Sequence, residues 1–463
     1  MTTVADVDQG DPHARPARLP HRLSGARQRV WAGISRIASS RLPSPAPPPE
    51  PLVEQPPEAV LDFLRLLGVA MCRAGDAADR VTLILDDVAR AYSAKGVSFF
   101  VLPTGVFVRI VAGSSTRVDF APGSNRPLRL DQIDDLYRLI DDIRHSKIEV
   151  GAAAERLTAL TRSRPRFGPV VRVLGTGVLT VGLGLVLNPT ASTLPVYFAL
   201  GVMVGLLELL ANRVLVLSLV LPVVAAFGVT WAAFELAGPY LDAWPLDIVI
   251  PSLITMLPGA ALTMATVELA AGSMISGSAR LIYGLERLLL LTVGIAMGIE
   301  AAGLPVRSGD APTTSLGAWA PWVGVLVFGL GHFFASSAPR RTLVWLLVVL
   351  YVAYGAQAAS GVLLGALGAS FVAGAVVLPV AYAVQSRRSG PPVPVTFLPA
   401  FWLLVPGALS LQGVAELVGA DAAAGLGDFI NALLSIVAIA VGVLVGAGLS
   451  ERVGRATSTW RGL

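Results

Sequence analysis

From residue 169 to residue 450 the chain is an almost unbroken succession of apolar segments, most of them near the roughly 20 residues that a helix needs to cross a bilayer. Backbone amides and carbonyls in hydrocarbon have no water to bond, so a chain built this way must satisfy them within each segment, as helices do. Ten segments are legible, over 169–188, 194–212, 214–237, 246–271, 280–303, 319–337, 342–358, 361–385, 397–419 and 429–450. Composition agrees: of 463 residues, 54% are hydrophobic and 14% charged, too apolar a balance for a soluble enzyme of this length.

What precedes the apolar region is different in kind. Residues 1–57 are rich in Pro, Arg, Ser and Ala and end in LPSPAPPPEPLVEQPPE, a run too dense in proline for helix or central strand, so a disordered tail without a cleaved leader is expected. Residues 58–162 read as a folded non-membrane domain. AVLDFLRLLGVAMCRAG and DRVTLILDDVARAYSAKG place apolar residues at i, i+3, i+4 and i+7, with Gly75 and Gly96 as helix stops. VSFFVLP, VFVRIVA and TRVDFA then predict an antiparallel meander, and LDQIDDLYRLIDDIRHSK and a segment from about 149 to 162 two more helices. The acidic residues Asp131, Asp134, Asp135, Asp141 and Asp142 read as a solvated helix face, because sequential neighbours do not converge on one point.

The formal net charge of +4 is small, and its arginines gather in the tail and at segment ends, a placement that fits membrane orientation and excludes nucleic acid as a partner. With the polar domain cytoplasmic, Arg162, Arg164, Arg166, Arg172, Arg213, Arg280, Arg340, Arg341, Arg387, Arg388, Arg452 and Arg455 all lie inside, and Arg307 is the sole basic residue outside. Both termini are then cytoplasmic. One cysteine, Cys72, and four scattered histidines offer neither a disulfide nor a metal-ligand spacing, so no metal or cofactor is expected.

Within the fourth segment stands LPGAALTMATVEL, 257–269, and within the ninth its altered copy VPGALSLQGVAEL, 405–417. Proline removes an amide and clashes with the preceding turn, glycine gives the backbone room to bend, and paired broken helices in two halves of a membrane chain point to a transporter's binding site. Five crossings per repeat force the second copy to enter from the opposite side. The expected fold is therefore an α-helical polytopic membrane protein, ten helices in two inverted five-helix repeats (163–310, and 311–463 with a short cytosolic tail), preceded by a small cytosolic α+β domain. These segments resemble those of the bacterial threonine/serine exporters, and the hydroxy amino acid that this resemblance implies needs donors for its carboxylate, acceptors for its ammonium and a partner for its hydroxyl. Free backbone groups at Pro258, Gly259, Pro406 and Gly407 suit the first two, and Thr255, Thr263, Ser410 and Gln412 the third. The opposing reading is that both Pro-Gly pairs merely kink helices for packing. Glu268, Glu416 and Glu208 are proton-coupling candidates, since a carboxylate within a spanning helix is costly; alternatively Glu268 and Glu416 reach water or pair with arginine, and Glu208 pairs with Arg213 near Asn212.

AGDAADRVTLILDDVARAYSAKG with FFVLPTGVFVRI, then LPGAALTMATVELAAGSMISGSARLIYG and VPGALSL, together resemble the bacterial threonine/serine exporters, over about residues 60–450. The resemblance implies an inner-membrane secondary transporter, an antiporter that exports threonine and serine using the proton-motive force. Members often carry Asp after the Pro-Gly segment where this chain has Glu268. An exporter or channel for another small solute is the alternative, and an enzyme anchored by the membrane region a further one, although the polar domain has no nucleophile-elbow, phosphate-loop or metal-ligand pattern.

Overall fold

A computed structural model describes residues 57–457 except 113–114, 124–125, 146–147, 188, 238–240, 242–244, 304–315, 388 and 405–421. It begins with an α+β unit. Helix α1 (Pro57–Arg73) buries Phe63, Leu64, Leu67 and Met71 along one stripe, and α2 (Ala78–Ala91) buries Val81, Ile84, Leu85 and Val88. Strands β1 (Val97–Leu102), β2 (Gly105–Ala112) and β3 (Ser115–Pro122) form an antiparallel meander in the order β1-β2-β3, whose first turn is Pro103-Thr104. Val106, Val108 and Ile110 point from β2 into the helices, as the period of two requires. Helices α3 (Leu130–His145) and α4 (Val150–Arg162) complete the unit.

Two details differ from the sequence reading. Gly75 does follow a helix, at φ 86°, but α2 ends at Ala91 with Ser93 in the left-handed region, and Gly96 (φ 70°) instead leads into β1, where a Cβ would press on the Val111 carbonyl. The acidic face of α3 is not all solvated. Asp134 is 1% exposed and takes two hydrogen bonds from Arg341 Nη2 at 2.7 and 2.8 Å, because this unit packs against the apolar region.

All regular structure among the described residues of the apolar region is helical, and the chain is a multi-pass membrane protein. The helices are α5 (Pro169–Leu187), α6 (Leu194–Ala211), α7 (Leu215–Ala232), α8 (Pro245–Ser252), α9 (Gly259–Ala270), α10 (Met274–Ala302), α11 (Ala320–Ala335), α12 (Thr342–Gln385), α13 (Val393–Leu404) and α14 (Ala422–Thr457). Six spans among the described residues are long and apolar enough to cross a membrane, or seven if the bent pair α8–α9 is one. Between α9 and α10 the chain turns around Gly272 (φ 90°), and α10 already starts at Met274. Helix α12 has 44 residues, about 66 Å at 1.5 Å per residue. Its break is not at 358–361 but at Gly365, φ 69° and ψ −175°, which a side chain would resist.

Helices α5 and α11 approach through glycine. A Cβ on Gly182 would run into the Phe328 backbone, one on Gly331 into Leu179, and one on Gly175 would lie 2.6 Å from the Ala335 nitrogen. Association of helices in lipid gains little from apolar burial, so such close backbone contact supplies the dispersion that holds them. Gly182→Ala is therefore expected to lower the thermal unfolding temperature of the detergent-purified protein, at an overpacking cost of about 1–3 kcal/mol. Gly448→Ala, where a Cβ meets nothing within 4 Å, should leave it unchanged. Equal effects in both variants would contradict the close approach.

Candidate functional site

The fourth apolar segment is broken where the sequence places proline. Helix α8 ends at Ser252, a 3-10 turn spans Ile254–Met256, Leu257 is extended, and α9 leaves at 52° to the first part. Pro258 has no amide, and the first intrahelical bond of α9 is Leu262 N–H to the Pro258 carbonyl at 3.0 Å. The amides of Gly259, Ala260 and Ala261 precede that bond, at the positive end of the helix dipole.

Residues of this first turn border a cavity of about 1000 Å³, at the upper end of the roughly 300–1,000 Å³ of ligand sites. Pro258, Ala260 and Ala261 line it, with residues of α5, α6, α7, α10 and α11 and with Trp402 of α13. Three arginines (Arg126, Arg172, Arg287) and two glutamates (Glu208, Glu286) face it, so it presents both signs of charge. The Glu208 carboxylate stands beside the Thr255 hydroxyl and within electrostatic reach of Arg172. Thr255 Oγ1 is buried and has no hydrogen-bond partner of normal geometry. Arg287 bonds Tyr283 Oη through Nε at 3.0 Å with its guanidinium 5.3 Å from the ring centroid. His332 is wedged between Phe328 and Trp402; one ring nitrogen is 3.2 Å from Ser336 Oγ, and the buried Nδ1 has no partner.

Arg126 belongs to the α+β unit, on the connection between β3 and α3, and its Nη2 reaches the Asn212 carbonyl at 3.5 Å. The cavity lining is thus built partly by the N-terminal unit. The two units are fastened elsewhere as well: Phe333, Ala338 and Val395 are buried in the same apolar cluster as the core of the α+β unit, and Phe167 packs on Phe333 and Phe334 with ring centroids 5.6 and 5.3 Å apart.

Of the residues singled out in the sequence, Thr255, Pro258 and Glu208 meet at the cavity and Gly259 begins the helix that lines it. Thr263 lies one turn deeper, fully buried, its hydroxyl without a partner and away from the cavity. Glu268 is not in the cavity: it is 1% exposed at the joint with the α+β unit, paired to Arg280 at 3.0 Å. Pro406, Gly407, Ser410, Gln412 and Glu416 lie outside the described residues. The charge beside Glu208 is Arg172 on the neighbouring helix, while Arg213 is exposed. In the sequence Arg172 is only an orientation signal, and Arg126 sits in a loop whose place in the cavity lining depends on docking. His332 was visible only as an isolated polar residue in an apolar helix.

A family model described as "Putative threonine/serine exporter" matches residues 62–301, which hold the α+β unit and helices α5 to α10. Pheromone-regulated membrane protein 10 of Debaryomyces hansenii is 26% identical over 181 residues, 38% of this chain and 18% of that protein. The protein of the same name from Candida albicans is 28% identical over 186 residues, 38% of this chain and 16% of its own length. The chain therefore matches less than a fifth of the length of these curated relatives. No solved structure matches it.

Cysteine labelling checks the cavity. Cys72 is silent by construction, since burial, with Asp76 and Glu268 adding to it against Arg280, pushes its thiol up to about 12. In the detergent-purified protein, Thr255→Cys should react with a small thiol reagent at pH 7.5 and Thr263→Cys should not. Equal labelling of the two would remove the boundary drawn between cavity and helix interior.

Proposed function

This chain belongs to the threonine/serine exporter family, a family of membrane transporters, and we propose that it is a secondary-active exporter of threonine and serine that exchanges them for protons across the cytoplasmic membrane. The observation that carries the reading is the meeting of opposite chemistries in one cavity beside a broken helix. Free amides at the start of α9, with Arg172, suit a substrate carboxylate, and Glu208 suits its ammonium. The buried Thr255 hydroxyl, beside Glu208, suits the hydroxyl of the side chain. Coupling follows from competition. A carboxylate that holds either an ammonium group or a proton cannot hold both, so proton arrival at Glu208 releases the amino acid and proton departure prepares the site for the next.

The topology that goes with this function is ten crossings in two inverted five-helix repeats, with the N-terminal unit and both termini in the cytoplasm. The packing supports it. The third segment, α7, packs on the fifth, α10, where Gly294 lies against the Val223 carbonyl and Gly298 against that of Phe227. In the second half, the part of α12 beyond Gly365 packs on α14, with Gly374 against the Ile439 carbonyl and Gly442 against that of Phe371. These are the same pairing one repeat later, and α5 against α11 is the first segment of each repeat meeting across the axis. With Arg126 and Pro127 of the N-terminal unit in its lining, the cavity lies toward the cytoplasmic side in this topology.

The test is efflux from cells loaded with a threonine-containing dipeptide, with and without the gene and with and without an uncoupler. Deletion should slow efflux of threonine and serine, and the uncoupler should abolish the difference. Glu208→Gln should lower efflux about tenfold or more and leave the residue insensitive to uncoupler; Thr255→Ala should raise KM for threonine about fivefold, the worth of one hydrogen bond, and not that for alanine. Efflux unchanged by deletion for serine, threonine and related amino acids would sink the assignment.

A further inference from the structure

Helix α9 has one end in the cavity and the other in the α+β unit. Its first turn lines the cavity, and Glu268, near its last turn, has both carboxylate oxygens engaged beyond its own helix. Oε1 accepts a hydrogen bond from the Ala78 amide at 2.9 Å, and Oε2 accepts one from Arg280 Nε at 3.0 Å. Arg280 in turn donates Nη2 to the Asp76 carbonyl at 2.8 Å, so it also reaches the α+β unit. Asp79 and Ser273 are hydrogen-bonded beside this pair, and Ser276 Oγ donates to the Val101 carbonyl at 3.2 Å.

The need for Glu268 is visible in α2. Its N-cap is Ala77, which makes no side-chain cap bond, and alanine is among the poorest residues at that position. An amide of the first turn is instead met by a carboxylate 190 residues away in sequence. Asp76, next to this end, is committed to other partners: both its oxygens lie 2.7 Å from Tyr137 Oη, and Arg80 Nε is 3.7 Å away. The cap for α2 therefore comes from the membrane helix.

We infer that Glu268 is a positioning residue that fastens α9 to the α+β unit, so that the seating of this unit sets where Pro258, Ala260 and Ala261 stand at the cavity. A helix of 12 residues is a stiff rod of about 18 Å at 1.5 Å per residue, and a shift at one end is delivered at the other. The N-terminal unit is thereby a working part of the transporter. This rests on the cavity being the transport site, but the joint itself can be read without any cargo.

Two readouts test it in the full-length protein reconstituted in liposomes. Glu268→Gln keeps an acceptor for the Ala78 amide and should retain threonine transport to within about threefold, while Glu268→Ala should lower it by about tenfold, within the range of site-to-site coupling. A disulfide between cysteines at Asp79 and Ser273, which are already side by side, should restore transport to Glu268→Ala and lose that effect on reduction. The cargo-free readout is the labelling rate of Thr255→Cys, expected to change about tenfold in the Glu268→Ala background and to return with the cross-link. Unchanged labelling, or a formed cross-link that restores nothing, overturns the inference. So does Glu268→Gln as inactive as Glu268→Ala with uncoupled exchange surviving in both, which marks a proton carrier. If labelling responds and no amino acid is transported by the parent protein, the joint stands and the assignment of the cavity falls.

Discussion

A break in a membrane helix leaves backbone groups that lipid cannot satisfy, and the region around Pro258 is arranged to answer that one demand. An unmet amide or carbonyl in hydrocarbon costs several kcal/mol, so irregular backbone at membrane depth survives only against protein or a polar cavity. The 52° bend between α8 and α9 has both: buried apolar residues on one side, including Leu253 and Ile254, and the cavity on the other. Along the cavity wall, glycines bring α5 and α11 into backbone contact. The space is therefore kept open at one place while packing is as close as chains allow a few residues away, and a cavity beside such rigid contacts is held in shape.

Magnitudes separate the ion pairs at the surface from those that are buried. Pairs such as Arg156–Asp142 and Arg90–Asp87 include a side chain half exposed or more and contribute about 0–1 kcal/mol each. The Glu268–Arg280 pair, with side chains 1% and 14% exposed, belongs to another class, in which removing one partner costs about 3–5 kcal/mol because the other charge is left buried. Asp134 with Arg341 is similar on its carboxylate side. At Asp76, burial drives the carboxyl up from its usual range, against Arg80, the Tyr137 hydroxyl and Arg280, which draw it down. Tyr137 is raised in the same way, by burial first, so its hydroxyl stays protonated and remains the donor to Asp76.

Most of the helices and the meander were legible because each rests on local periodicity: the stripe Phe63, Leu64, Leu67 and Met71, or the alternation Val106, Val108 and Ile110, needs no partner to be seen. The helix break at Pro258 was equally plain, since proline acts on its own turn. Position along the chain is less informative where two glycines compete, and the break at Gly365 rather than at 358–361 turned on which glycine took positive φ. Long-range charge pairing was the main blind spot. Asp134 reads as solvated until Arg341 arrives from more than 200 residues away, and Glu268 reads as a lone membrane acid until Ala78 and Arg280 close on it. Arg126, Arg172 and His332 were missed as site residues for the same reason, as only folding brings them to one cavity.

Glu268 also makes sense of how two helix dipoles meet. A carboxylate near the C-terminal end of α9 opposes the partial negative charge of its own helix, an arrangement costing about 0.3–1 kcal/mol at an exposed terminus. The same carboxylate lies at the N-terminus of α2, where the sign is favourable, and beside Arg280, which adds a full positive charge. The unfavourable end of one helix is thus joined to the favourable end of another through a single side chain: α9 closes its own last carbonyls, with Gly272 at φ 90° and the Gly272 and Ser273 amides on the Leu269 and Glu268 carbonyls, whereas α2 lacks a cap of its own. The two elements cannot separate without stranding the Ala78 amide of one and the Glu268 carboxylate of the other. That mutual dependence gives the N-terminal unit a mechanical hold on the helix whose other end lies at the cavity.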